Sequence, residues 1–166
     1  MEPLRVGSLF SGIGGIDLGL EWAGMRVIWQ SEIDKYACSI LAKHWPDVAN
    51  LGDITTIDWS HVERPDVLAG GFPCQSVSEA GLQKAQGDKR WLWPHFARAI
   101  RCLRPGHVIV ENVPGLLSAV KGRAAQEVFG DLAKYGYDTE WASIPAAAVG
   151  APHLRYRVFI VAYAKG

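Results

Sequence analysis

The chain has 166 residues, 49% of them hydrophobic and 20% charged, which suits one folded domain with its own core and excludes a disordered chain. Its 17 basic and 17 acidic residues cancel, so the chain as a whole lacks the electrostatic footprint of a protein that grips nucleic acid by charge alone. Cys38, Cys74 and Cys102 are odd in number and have no short metal-ligand spacing, which argues against a disulfide framework and a zinc site and for a reducing, cytoplasmic compartment.

The chain opens Met1-Glu2-Pro3-Leu4 and turns at once into an apolar run, with no charged leader ahead of a longer apolar segment. No apolar run reaches membrane-spanning length. Arg5 to Phe10 reads as a first strand, Ser11 to Gly15 as a turn, and Ile16 to Ala23 as a helix stopped by Gly24. Met25 to Ser31 is a second strand, followed by Glu32. Asp34 can cap a helix over Lys35 to Trp45, whose stripe is Tyr36, Ile40, Leu41 and Trp45. A weak third strand lies near Val48 to Leu51, ahead of Gly52-Asp53.

Val67 to Gly70 is the fourth strand, and Gln75 to Lys89 reads as a loop. A helix over Trp93 to Leu103 stops at Pro105-Gly106. His107 to Val110 is the fifth strand, ending at Glu111-Asn112. Ala124 to Lys134 is a helix, and Thr139 to Ile144 with Arg157 to Ala162 closes the sheet. Strands alternating with helices predict an α/β fold with a doubly wound, mostly parallel sheet, in one domain over residues 1–166.

Such sheets carry their chemistry at the carboxyl ends of the strands. Gly12-Ile13-Gly14-Gly15 sits at the first of these ends, where glycines let backbone approach a ligand, although the spacing is not that of the dinucleotide fingerprint. A structural turn explains it as well as a ligand loop does. Glu32 ends the second strand, where an acidic residue meets a ribose diol in many nucleotide-binding sheets; it is equally placed to cap the next helix. Asp53 can accept from an adenine amino group or serve as a turn aspartate. Phe72-Pro73-Cys74-Gln75 follows the fourth strand. A proline fixes φ and stiffens the loop that carries the thiol, yet a lone Pro-Cys is as readily a buried structural cysteine beside a turn.

Taken in order, these segments resemble the DNA (cytosine-5)-methyltransferase family. The resemblance runs through Leu9-Phe10-Ser11-Gly12-Ile13-Gly14-Gly15, Glu32, Gly52-Asp53-Ile54, Gly70-Gly71-Phe72-Pro73-Cys74-Gln75-Ser76, Glu111-Asn112-Val113, and Gly150-Ala151-Pro152-His153-Leu154-Arg155-Tyr156-Arg157-Val158-Phe159. It implies a Rossmann-like fold that binds S-adenosylmethionine through Phe10, Gly12, Gly14, Gly15, Glu32, Ile33, Asp53, Ile54, Gly70 and Pro73, and it implies no metal. It implies Cys74 as the nucleophile toward carbon 6 of a flipped cytosine in DNA, Glu111 as the acid at ring nitrogen 3, Arg157 as the contact to the base oxygen, and Arg155 as an orienting residue. Alternating spacing should place the two arginines on one face of a strand.

Ser8 departs from an acidic residue common in the family, Trp91 from a glycine, and His153 from a glutamine. The family's target recognition domain and its last segment have no counterpart in the sequence. One reading is a catalytic domain whose recognition part is a second chain or has been lost. Another is a complete enzyme of relaxed specificity. A third, from a different class, is a non-catalytic cofactor- or protein-binding remnant. A Rossmann oxidoreductase is further away, given the glycine spacing.

Overall fold

The computed structural model describes residues 2–73, 91–119 and 121–165. Within them lies a seven-stranded sheet of order β3-β2-β1-β4-β5-β7-β6. The strands are β1 (Arg5–Leu9), β2 (Arg26–Ser31), β3 (Ala49–Asn50), β4 (Val67–Gly70), β5 (His107–Asn112), β6 (Tyr137–Pro145) and β7 (Tyr156–Ala164). β1 to β5 are parallel, and β7 runs antiparallel between β5 and β6. The doubly wound architecture expected from the alternation of elements is therefore present.

The helices are α1 (Gly15–Trp22), α2 (Lys35–His44), α3 (Trp93–Leu103), α4 (Gly115–Ser118) and α5 (Arg123–Lys134). α2 begins where the sequence expects it, with the Asp34 carboxylate accepting from the Ala37 N–H at 2.9 Å. α3 buries Trp93, Phe96, Ala97, Ile100 and Leu103, a stripe at helical spacing, and stops at Arg104 in the left-handed region ahead of Pro105. Three short pieces escape the sequence pattern: α4 and the 3-10 turns Trp59–His61 and Ala146–Val149. Each is too short for a period to register. The third strand shrinks to two residues, while β6 outgrows its expected bounds at both ends. The expected loop over Gln75 to Lys89 lies outside the described residues.

Alternation along the strands divides the core between the two sheet faces. Leu9, Leu68, Val108, Val110 and Ile160 pack with Phe96, Ile100, Leu103, Val128 and Leu132 of α3 and α5. On the other face, Val6, Val27, Val67 and Ala69 pack with Ile16 and Leu20 of α1. That second face is not covered all the way across. His107, Ile109, Phe159 and Val161 are only half-buried, and Ile144 and Tyr163 are each 38% exposed.

Sheet order reverses between β1 and β4, because β1 leads outward to β2 while β4 leads the opposite way to β5. A crevice opens at such a switch point beyond the carboxyl ends of the strands. The antiparallel direction of β7 brings its first residues to the same edge.

Candidate active site at the carboxyl edge of the sheet

Two clusters occupy this edge. The first is built on β1, β2 and the turn between β1 and α1. The Glu32 carboxylate accepts from the Gly12 N–H at 2.8 Å with one oxygen and from the Ile33 and Asp34 N–H groups, both at 2.8 Å, with the other. The capping reading of Glu32 is thus met, since it ties the glycine turn to the start of α2, and among the described bonds Oε2 has accepted only one.

The glycines of the turn have separate causes. Gly14 has φ +86°, and a side chain there would come within 2.3 Å of the Trp45 ring, so internal packing already demands glycine. Around Gly12, with φ +55°, and Gly15, a Cβ would meet nothing within 4 Å. Backbone at these two positions borders open space, which a ligand can approach. Phe10 is half-buried, with φ +52° and its ring stacked on Phe96 at 6.4 Å. Its core role is plain, and it follows directly on the end of β1.

Asp53 is exposed and closes a turn by accepting from the Thr55 N–H at 2.9 Å, and hydrogen bonds from Thr55 hold its carboxyl below the usual range. Ile33 is 68% exposed and Pro73 is exposed, both at the rim. Ile54 is buried in the core beneath the edge, and Gly70 lies against the Leu9 backbone, where a Cβ would sit 2.3 Å from the Leu9 carbonyl oxygen. These two support the edge from below.

Sequence reasoning missed two supports. Asn50 accepts from the Glu32 and Gly52 N–H groups at 3.0 and 3.1 Å and donates to the Glu32 carbonyl at 3.1 Å, joining the ends of β2 and β3. An asparagine two residues before a glycine was the available signal. Asp17, fully buried on α1, accepts from Ser8 at 2.9 Å and from Gln30 at 2.8 Å. Burial pushes its carboxyl up, against the opposing hydrogen bonds from Gln30 and Ser8.

The second cluster lies where β5 meets β7. Glu111 is paired across the ladder with Phe159, and the Arg157 guanidinium reaches it diagonally, Nε to Oε1 at 2.7 Å. Arg157 Nη1 donates to the Tyr156 carbonyl at 2.8 Å. The other Glu111 oxygen rests against Gly71, where an added Cβ would come within 2.5 Å of Oε2. Asn112 donates to the Phe72 carbonyl at 3.0 Å and so fixes the loop that leads toward Cys74. Cys74 itself lies outside the described residues. The expectation of two arginines on one strand face holds only for Arg157. Arg155 precedes β7 and is exposed, and its carbonyl accepts from the Ala146 N–H at 3.0 Å. The ion pair to Glu111 thus belongs to Arg157.

Among the described residues no three His, Cys, Asp or Glu side chains gather as metal ligands, and no helix is long and apolar enough to cross a membrane. A sheet of this order, five parallel strands with β7 antiparallel beside β5, is the Rossmann-like α/β arrangement found in solved methyltransferase structures. The structure of S. pombe Dnmt2 methyltransferase shares that fold, with a TM-score of 0.81 at 24% identity, over 98% of this chain and 52% of that one. A family profile for C-5 cytosine-specific DNA methylase matches residues 4–166, and the chain belongs to that family. The type II methyltransferase M.NgoFVII of Neisseria gonorrhoeae is 36% identical over 160 residues, and M.Eco47II of Escherichia coli is 39% identical over 158. The matches cover 95% and 93% of this chain but 43% and 38% of those relatives.

Proposed function

We propose that this chain is the cofactor-binding and catalytic part of an enzyme that methylates carbon 5 of cytosine in DNA, using S-adenosylmethionine. The observation that carries the reading is the Glu111 carboxylate, held between Arg157 and Gly71 on the loop that leads to Cys74. An acid and a guanidinium meet on the edge beside Gly71, which precedes Cys74 by three positions in the sequence.

The open backbone at Gly12 and Gly15, with Glu32 bound to the Gly12 N–H beside it, fits the cofactor. Those residues would hold it with Asp53, Phe10 and the rim residues Ile33 and Pro73. When bound, the cofactor supplies an electrophilic methyl group. Carbon 5 of cytosine is a poor nucleophile until the ring is activated. The Cys74 thiolate would add to carbon 6, and the electron pair of the ring double bond would become available at carbon 5. Glu111 would hold a proton at ring nitrogen 3, where negative charge develops. Among the described residues Arg157 uses Nε for Glu111 and Nη1 for Tyr156, so Nη2 would serve the base oxygen, while exposed Arg155 would help orient these groups at the entrance. After carbon 5 has taken the methyl group, loss of its proton expels the thiolate and restores the ring. The target must be flipped out of the duplex to reach this edge.

Recognition requires side chains in the grooves. The half-covered face at β5, β7 and β6, with Trp22 of α1 80% exposed nearby in sequence to the cofactor turn, supports further polypeptide, in the same protein or as a second chain, that completes the enzyme and reads DNA. The test is incorporation of labelled methyl groups into mixed-sequence DNA by the chain, alone and with the product of the downstream reading frame. Transfer to carbon 5, abolished by Cys74→Ser, is expected. Transfer that survives Cys74→Ser would refute the mechanism, and no transfer under either condition would refute the function.

A further inference from the structure

Six polar residues are buried among the described residues, and four of them, Ser8, Ser11, Asp17 and Gln30, form one connected cluster beneath the glycine turn. The chemistry at the edge does not use Asp17. Its side chain is wholly buried, and Glu21 on the same helix adds a like charge that opposes its ionisation. An apolar side chain would fill the volume without the cost of burying an acid.

We propose that Asp17 is a positioning residue for the turn Ser11–Gly15, acting through the hydroxyls of Ser8 and Ser11. The inference rests on the reading of that turn as the cofactor cradle. An ionised carboxylate only accepts, so it dictates the direction of every bond that leads to it. The Ser8 hydroxyl must donate to Asp17, at 2.9 Å, which leaves its oxygen to accept from Ser11, also at 2.9 Å. The Ser11 side chain is thereby fixed inward at the first residue of the turn, with the Ser8 carbonyl as a second, longer acceptor at 3.3 Å. Its backbone is fixed as well, because its N–H donates to the Ser31 carbonyl at 3.2 Å and its carbonyl accepts from Gly14 at 2.9 Å. Gln30 locks the other Asp17 oxygen at 2.8 Å. The turn is thus held from below by this relay and from the side by the bond between Gly12 and Glu32.

The experiment is amide hydrogen exchange on the purified chain and on Asp17→Ala, Ser8→Ala and Asp17→Asn, each also titrated with S-adenosylmethionine by calorimetry. Asp17→Ala and Ser8→Ala should speed exchange at Gly12 and Gly14 by about tenfold or more, with Val108 and Val110 of β5 nearly unchanged. Asp17→Asn should bring the turn back to within about threefold of the parent. Its oxygen still accepts from Gln30, and its amide donates to Ser8, whose hydroxyl then turns to Ser11. The cofactor should bind more weakly in the same order. Unchanged turn amides, equal acceleration throughout the sheet, or an Asn variant as fast as Ala would each overturn the inference. Should Asp17→Ala not fold, Ser8→Ala carries the same comparison with Asp17 and Gln30 in place. A parent chain that shows no heat with the cofactor would sink the cradle reading alone, since the exchange pattern decides the relay without ligand.

Discussion

The two clusters at the sheet edge are held in different ways. The turn after β1 is enclosed by its own segment of chain: Glu32, Asn50, Trp45 and the buried Ser8, Ser11, Asp17 and Gln30 all come from residues 8–50. Among the described residues the Glu111 cluster draws on distant segments, through the Arg157 ion pair, the close Gly71 and the Asn112–Phe72 bond, beside a sheet face that is only half covered. On the function proposed above, the difference teaches that binding the cofactor and performing the chemistry need not depend equally on segments distant in the chain. The first region carries its own support; the second lies beside a surface that further polypeptide would complete.

Separating the regions should give the largest effect. Glu111→Ala should reduce methyl transfer by two or more orders of magnitude, within the usual contribution of a general acid, and leave the calorimetric affinity for S-adenosylmethionine nearly unchanged. Equal loss of both would break the comparison. Gly71→Ala should act on the same region, because the new methyl group would displace the Glu111 carboxylate now 2.5 Å from that position. Overpacking of this kind costs about 1–3 kcal/mol, or roughly five- to 150-fold in rate, measured as kcat at saturating cofactor.

In the first region, Gly14→Ala meets both a left-handed φ and the Trp45 ring, whereas Gly12→Ala meets only the φ. Gly14→Ala should therefore lower stability by about 1–3 kcal/mol in urea titration, and Gly12→Ala by less, with the loss at Gly12 appearing more clearly in cofactor binding. Similar stability loss at both positions would contradict the open-space reading of Gly12.

The smallest effect is in pH dependence. Burial raises the Asp17 carboxyl, so its contribution favours folding below the ordinary aspartate range and fades as pH rises from there through its raised folded value. Asp66 is shifted the other way by the side chain of Arg5, so its contribution is present above that range and fades as pH falls. Asp17→Asn should gain stability relative to the parent as pH rises from about 4 toward neutrality, followed by denaturant midpoint. A constant difference across that window would mean that folding does not raise the Asp17 carboxyl.

Much of this was legible in the sequence. The strands from Arg5 to Asn112 and the helices α2 and α3 show their period directly, and the acids Glu32 and Glu111 fall at strand ends where such sheets place function. Two kinds of information were not. Asp17 sits in a helix that looks ordinary, since a one-letter pattern does not show that Ser8 and Gln30 on neighbouring strands converge on it. Arg155 and Arg157 alternate like strand residues, but β7 starts only at Tyr156, because its partner β6 ends at Pro145 and the chain there passes into the 3-10 turn Ala146–Val149. Pairing of Arg157 with Glu111 depends on strand register between β5 and β7, which is a long-range property.

The central claim is that Cys74 forms a covalent bond to carbon 6 of the target base. The most direct test is incubation of the protein, with S-adenosylmethionine and the partner product where needed, on DNA containing 5-fluorocytosine. Fluorine at carbon 5 blocks the final proton loss, so the account predicts a denaturation-resistant protein–DNA adduct whose peptide map places the link on Cys74 and which Cys74→Ser eliminates. An adduct that persists in Cys74→Ser, or one mapped to Cys38 or Cys102, would contradict it.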